Sequence, residues 1–422
     1  MWRTVSFVDR IEVEFKGTLF NQAVALADVD NDQARDCAGL YNNNKNELIV
    51  GNVDGDLAIF KGSNPTSCKK SSDLGMITCL GVGDVCNQNK NVLVTLTAEG
   101  WCYLFGVKAE GETPLTDEDK TLKPAYKQDL PANGKVLLIA DADTDGKIEL
   151  IVGYSDRVVR SFRWQPGSNT SDIDYYSTGH LVSVQKWQLA GQTESITMNR
   201  SLNGEPQLMA SQPGGTLVIL LPHNKGNNHQ PLKSKSSNSN VDSTKDGKSV
   251  RLSRAKNRDM STVMVGNITP GVSSDDAVND SCQTYYAVAT LDGNLVLAEN
   301  DKILWSLQVD HQLFSLCKLD VTGNGQEEVV CCSWDGQTYI VNQSREVVRY
   351  LFQEHVAAFS AGFYSLGDGG NRPCFVYATF DNTLYIYHNI NLPRVESTNL
   401  IQVMDQIPEA RQLLQKLNIN RK

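Results

Sequence analysis

Seven times along this chain a two-residue turn joins two short apolar strand patterns, and this recurrence constrains the fold more than any other feature. The turns centre on Asp54-Gly55, Glu99-Gly100, Asp156-Arg157, Gly214-Gly215, Asp292-Gly293, Asp335-Gly336 and Asp381-Asn382. An Asp-Gly pair between alternating apolar segments is a strong hairpin signal, because the turn needs positive φ, which Gly and Asx residues tolerate. The clearest complete unit reads Val136-Leu-Leu-Ile-Ala140, an acidic loop 141–146, Glu149-Leu-Ile-Val-Gly153, the turn, and Val158-Val-Arg-Ser-Phe162. Successive turns lie 43 to 58 residues apart, except for 78 between Gly214 and Asp292. The short spacings match the ~40–50 residues of a four-stranded propeller blade. Seven blades close most simply into a ring that leaves only short sheet edges. The fold class expected is therefore all-β, a seven-bladed β-propeller over residues 1–395. Two separate β-sandwiches are the alternative.

The N-terminal pattern Val5 to Phe15 precedes the first full unit, and the last unit runs one strand short after Tyr387. Pairing the two would close the ring. The segment 223–258 carries nine Lys or Arg against two Asp and almost no strong hydrophobes. It reads as a disordered basic loop between blades four and five, serving as a solvated spacer or as an electrostatic contact for an acidic partner or anionic lipid. Lys108 to Lys127 reads as a second polar loop. Residues 396–422 form a C-terminal helical tail: Pro408 at the first position of a short helix, Glu409 in its first turn, and Ala410, Leu413, Leu414 and Leu417 on one stripe.

Asp141, Asp143, Asp145 and Glu149 occupy loop positions 1, 3, 5 and 9, with Gly146 at 6. Alternating oxygens around a Gly turn wrap a hard cation such as Ca2+, and the carbonyl of Lys147 would add a ligand. Asp28, Asp30, Asp32 and Asp36 repeat the spacing with Gln33 in place of Gly, and Asp320 begins a third loop with fewer carboxylates. The other reading is that Asp, Asn and Gly are turn formers whose side chains bond their own backbone. A bound Ca2+ would pin a blade and perform no chemistry.

Nothing in the chain points to catalysis. The six His lack metal spacing, no CxxC pair exists, and no nucleophile or phosphate-loop motif stands in a strand-turn-helix context. Asp310-His311 reads as a hydrogen bond within a blade turn, and Trp101, Trp164, Trp187, Trp305 and Trp334 read as packing between blades. Net charge is −10, which argues against a nucleic-acid partner. Met1–Phe15 lacks the apolar core of a secretory signal, so the ten Cys are expected to be reduced and cytosolic, and the Asn-x-Ser/Thr matches at Asn169, Asn199, Asn267, Asn279 and Asn342 to be unused.

An acidic loop followed by Glu-Leu-Ile-Val-Gly resembles the FG-GAP repeat of integrin α-chains. A closer resemblance runs along nearly the whole chain: Gly81-Val-Gly-Asp-Val-Cys-Asn87, Asp156-Arg-Val-Val-Arg160, Val309-Asp-His-Gln-Leu-Phe314, Leu319-Asp-Val-Thr-Gly-Asn-Gly325, Trp334-Asp-Gly-Gln-Thr-Tyr-Ile340 and Glu396-Ser-Thr-Asn-Leu400 are similar to the integrin-alpha FG-GAP repeat-containing protein 2 family. The resemblance implies a non-enzymatic subunit of the KICSTOR complex that pairs with the kaptin propeller. It implies that the complex brings the GATOR-type Rag GTPase-activating complex to the cytosolic face of the lysosomal membrane, restraining mTOR signalling when amino acids or glucose are scarce. An integrin-like Ca2+-binding adhesion propeller is the alternative. The insertion after Asp36 and the 223–258 segment depart from the family pattern.

Overall fold

The computed structural model describes residues 3–4, 9–32, 45–107, 120–167, 179–201, 203–222, 241–243, 247–251, 259–270, 284–367 and 370–392. The first compact unit, Met1–Asn391, is a seven-bladed β-propeller. Each blade is built on an antiparallel sheet, and in blades one, two, three and five its four strands run outward in chain order. Blade one is Val24–Ala27, Glu47–Gly51, Leu57–Phe60 and Lys69–Ser71. Blade three is Gly134–Ala140, Glu149–Tyr154, Val158–Gln165 and His180–Gln188. Blade six is Leu313–Leu319, Glu328–Ser333, Gln337–Val341 and Val347–Leu351. The second strand of each is buried along its whole length, as both blade faces pack on neighbours.

The N-terminal strand Asp9–Glu14 closes the ring. It pairs antiparallel with Thr383–His388 from Asp9↔His388 to Glu14↔Thr383, making the outermost strand of blade seven. Val13 and Phe15 are buried in the core that blade seven shares with blade one. Arg3–Thr4 adds a parallel pair to the outer strand of blade six.

The hairpin turns explain the repeat. At Gly293 and Gly336, φ is +85° and an added Cβ would lie 2.1 Å from the Val309 carbonyl oxygen and 2.2 Å from that of Phe352. These glycine carbonyls accept the N–H that follows the outer strand, from Val309 and Phe352. Blade three makes the same bond, Leu189 N–H to the Arg157 carbonyl at 2.8 Å, with a non-glycine held at φ 69°.

Three expectations change. The segment 223–258 is not wholly loop: Gly247–Arg251 is the fourth strand of blade four, paired with Thr216–Leu220, and Val241–Ser243 pairs beyond it. Outer strands join mainly by backbone bonds, so Lys248-Ser249-Val250 serves despite its polarity, which the composition of the long segment concealed. The polar stretch 108–127 likewise ends in strand, with Tyr126–Asp129 the outer strand of blade two. Trp164, Trp187 and Trp305 are buried as blade packing requires, but Trp101 and Trp334 are exposed at turns. The helix read at 408–417 and the rest of the 396–422 tail lie outside the described residues.

The eight cysteines among the described residues carry free thiols, and no disulfide links those residues. Burial pushes the thiols of Cys79 and Cys374 up to about 12. Asn199 is buried and accepts the Asn267 N–H and the Thr284 hydroxyl, which makes it a blade-to-blade tie.

Candidate functional site

The three acidic loops join the first and second strands of blades one, three and six, and they share one frame. Glu47, Glu149 and Glu328 each open the second strand, are buried, and accept the N–H of the second loop residue: Val29 at 3.0 Å, Ala142 at 2.8 Å and Val321 at 2.8 Å. The first loop Asp ties its own backbone. Asp28 accepts from the Asn31 N–H, Asp141 from Asp145 and Gly146, and Asp320 from Gly323, Asn324 and Gly325. These are the Asx turns of the plainer reading.

Two loops also gather carboxylates. Asp28, Asp30 and Asp32 bring one oxygen each within 4.8 Å of the others, as do Asp141, Asp143 and Glu149. Asp145 stands aside: it accepts the Lys147 N–H at 2.9 Å and faces Arg163. Asp36 lies outside the described residues. The donors are hard oxygens and fit a divalent cation.

Sequence reasoning missed the groups standing among them. In blade one the Lys61 ammonium lies 2.5 Å from Asp30, 3.2 Å from Asp32 and 3.3 Å from Glu47. In blade three the Arg163 guanidinium reaches Asp145 at 2.7 Å, Asp143 at 3.2 Å, and Glu149. Register explains the placement. Leu48 pairs with Phe60 and Leu150 with Phe162, so the residue after each Phe faces the buried Glu. In blade six Val329 pairs with Val341, which puts the neutral Asn342 at the same position. There Thr322 and Asn324 replace the loop carboxylates, and Glu328 takes the Thr322 hydroxyl instead. A basic residue thus accompanies the full carboxylate set and disappears with it. The signal was legible as Phe60-Lys61 and Phe162-Arg163, each following an apolar strand.

Burial pushes the Glu47 carboxyl up to about 7 and also raises Asp28 and Glu328. Burial opposes the Lys61 ammonium, but the Asp30 hydrogen bond and the Glu47 and Asp30 charges outweigh it and raise its pKa. Asp28 Oδ2 is buried without a hydrogen-bond partner, so the first loop keeps one oxygen that could take a water or a cation.

The structural hydrogen bond expected of His311 is present, with Asp335 as its partner. Its Nδ1 lies 2.7 Å from Asp335 Oδ2, in the hairpin turn of the following blade, and the Ser333 hydroxyl bonds the other Asp335 oxygen. The aspartate lies between serine and histidine, so the imidazole has no path to the hydroxyl proton. The order is wrong for nucleophilic catalysis.

The sequence pattern of the integrin-alpha FG-GAP repeat-containing protein 2 family matches residues 61–392. The chain belongs to that family. A mouse relative, described as KICSTOR complex protein ITFG2, is 42% identical over 99% of this chain and 92% of its own length. A bovine protein of the same description is 40% identical over 97% of this chain and 75% of its own. Among solved structures, BBS1N crystallised in complex with ARL6DN superposes with a TM-score of 0.58 at 14% identity, over 93% of this chain and 98% of that one. Chaetomium thermophilum Raptor gives 0.55 at 10% identity, over 91% of this chain and 29% of that one. At such identities these two likenesses speak for the propeller fold alone.

Proposed function

We propose that this chain is a non-enzymatic scaffold subunit of the KICSTOR complex. In this reading it pairs with the kaptin propeller and other KICSTOR subunits. It helps recruit the GATOR-type Rag GTPase-activating complex to the cytosolic face of the lysosomal membrane, and it restrains mTOR signalling when amino acids or glucose are scarce. The observation that carries the reading is the near full-length similarity to the mouse protein described as a KICSTOR subunit. The site chemistry agrees. The acidic clusters are held by Lys61 and Arg163, ion pairs that stiffen blades one and three as a scaffold requires. In the same reading a Ca2+ ion and these tethered cations compete for the same oxygens, and the tethered cations supply the charge in the native chain.

The test is affinity purification of the tagged full chain from cells. Recovery of kaptin and the other KICSTOR subunits in near-equal amounts is expected. A folded tagged chain that recovers none of them overturns the proposal.

A further inference from the structure

In an antiparallel blade, the turns between second and third strands share one end of the propeller with the loops that lead to the next blade. Six of the nine exposed large hydrophobic side chains among the described residues lie at that end: Trp334, Leu351, Phe380, Phe20, Met76 and Trp101. They fall on blades six, seven, one and two, which are consecutive around the closed ring. Hydrogen bonds make this arc continuous. The Val356 N–H bonds the Trp334 carbonyl, Gly17 N–H bonds Asn382, Val53 N–H bonds the Thr18 carbonyl, Ile77 N–H bonds Asn52, and Ala98 N–H bonds the Met76 carbonyl. Blades three and four place Ser155 and Pro213 where Trp334 and Phe380 stand. Among the described residues, the exposed large hydrophobic side chains at this end therefore lie on one side of the ring.

Exposed carboxylates are interleaved with these side chains: Asp335, Asp381, Asp54, Asp73 and Glu99. Trp334 is 42% and Phe380 62% exposed, and each directly precedes an exposed Asp. The arc already receives cations from its own chain. The Lys127 ammonium sits 3.8 Å from the centre of the Trp101 ring. An aromatic face beside a carboxylate favours a side chain with an apolar stem and a cationic head, as lysine and arginine have. Scattered single hydrophobes need no explanation, whereas a contiguous arc with a charged rim marks a docking surface.

We infer that this arc over blades six, seven, one and two is the surface through which the chain docks a protein partner, and that the partner presents apolar anchors flanked by lysine or arginine. The inference rests on the scaffold reading above and adds to it the face and the chemistry of the contact.

The experiment compares the tagged full chain with two triple or double variants, purified from cells with the KICSTOR subunits as readout. The arc variant is Phe20→Ser, Trp334→Ser and Phe380→Ser; the control variant is Leu221→Ser and Ile303→Ser, on exposed positions outside the arc. The arc variant should recover subunits at least about tenfold less well, since anchor residues in interfaces dominate affinity. The control should recover them as the wild type does, and all three should melt alike. Carboxyl-to-amine cross-linking of the wild-type complex should join partner lysines to Asp54, Asp73, Asp335 or Asp381. Equal recovery by wild-type and arc variant overturns this inference and leaves the scaffold reading standing. A wild-type chain that recovers no subunit overturns both. Loss of a homodimer by the arc variant, with subunit recovery intact, would assign the arc to a second copy and overturn the basic-partner assignment.

Discussion

Replacing Arg163 by Met tests whether the chain carries its own cation in the third blade. Glu149 is 1% exposed and accepts from Arg163, while Asp143 and Asp145 are partly exposed at 22% and 39%. Removing one partner of a buried ion pair costs about 3–5 kcal/mol, because the remaining charge is left uncompensated in low dielectric. The two more exposed contacts add ~0–1 kcal/mol each. At ~2.1 cal/mol/K per residue, unfolding of the Met1–Asn391 unit carries roughly 0.8 kcal/mol/K of entropy. The summed cost of about 3–7 kcal/mol gives an expected fall in melting temperature of about 4–9 °C, measured by calorimetry in EDTA. The oxygens of Asp143 and Glu149 that Arg163 vacates, with Asp141 beside them, should then take Ca2+. At ~100 times the dissociation constant, binding returns ~2.7 kcal/mol, or about 3 °C. The wild type should melt at the same temperature in EDTA and in millimolar Ca2+, and Arg163→Met combined with Asp143→Asn should lose the rescue. Two results refute the reasoning: a wild type stabilised by Ca2+ as strongly as the variant, or an Arg163→Met chain that melts like the wild type.

The raised Glu47 carboxyl sets a pH dependence: with its folded value about 7 against an ordinary 4.5, its contribution is full below pH ~4.5 and is lost as pH rises through 7. Urea unfolding should show stability falling over that window by up to about 1.4 kcal/mol per pH unit for one proton, and Glu47→Gln should flatten the slope. Deleting residues 1–15 removes the closing strand and its buried Val13 and Phe15, at ~1.5–3 kcal/mol each, and exposes the edge at Thr383–His388; light scattering should show oligomers where the full chain is monodisperse. Thiol titration should find Cys79, Cys102, Cys331, Cys332 and Cys374 unreactive in the native protein and reactive after denaturation without reductant. Arg157→Gly relieves a positive φ where sister turns use glycine, and should change stability by less than about 1 kcal/mol, since relief of strain offsets the greater entropy of the unfolded chain.

What could be read from the sequence followed from what repeats. Turns demanding positive φ recur because every blade needs the same hairpin, so the number of blades was visible in Asp54-Gly55 through Asp381-Asn382, and the closing strand in the pattern Val5 to Phe15 together with the strand missing after Tyr387. Elements specified by backbone bonding alone were not. Gly247–Arg251 completes blade four with side chains of little hydrophobicity, and nothing in Lys248 or Ser249 distinguishes a strand from a solvated loop. For His311 the role was legible and the partner was not. Asp335 is 24 residues away, and the packing of the loop that enters blade six on that blade's own hairpin turn brings them together.

The acidic loops show why a motif must be read with its opposite strand. Loop spacing alone makes Asp141 to Glu149 a cation cradle, and the spacing is the same whether the positive charge arrives from solvent or from the chain. The register of the third strand decides between them, since it places Lys61 or Arg163 against the buried Glu where the loop is fully acidic, and Asn342 where it is not. The opposite end of the propeller follows the contrary rule. Its carboxylates at Asp54, Asp73 and Asp381 stand exposed beside aromatic and aliphatic side chains. Blades one and three neutralise the acids of their first loops internally and gain rigidity, while the opposite end presents its acids beside six of the nine exposed large hydrophobic side chains among the described residues, which leaves it charge and apolar surface with which to recognise another protein.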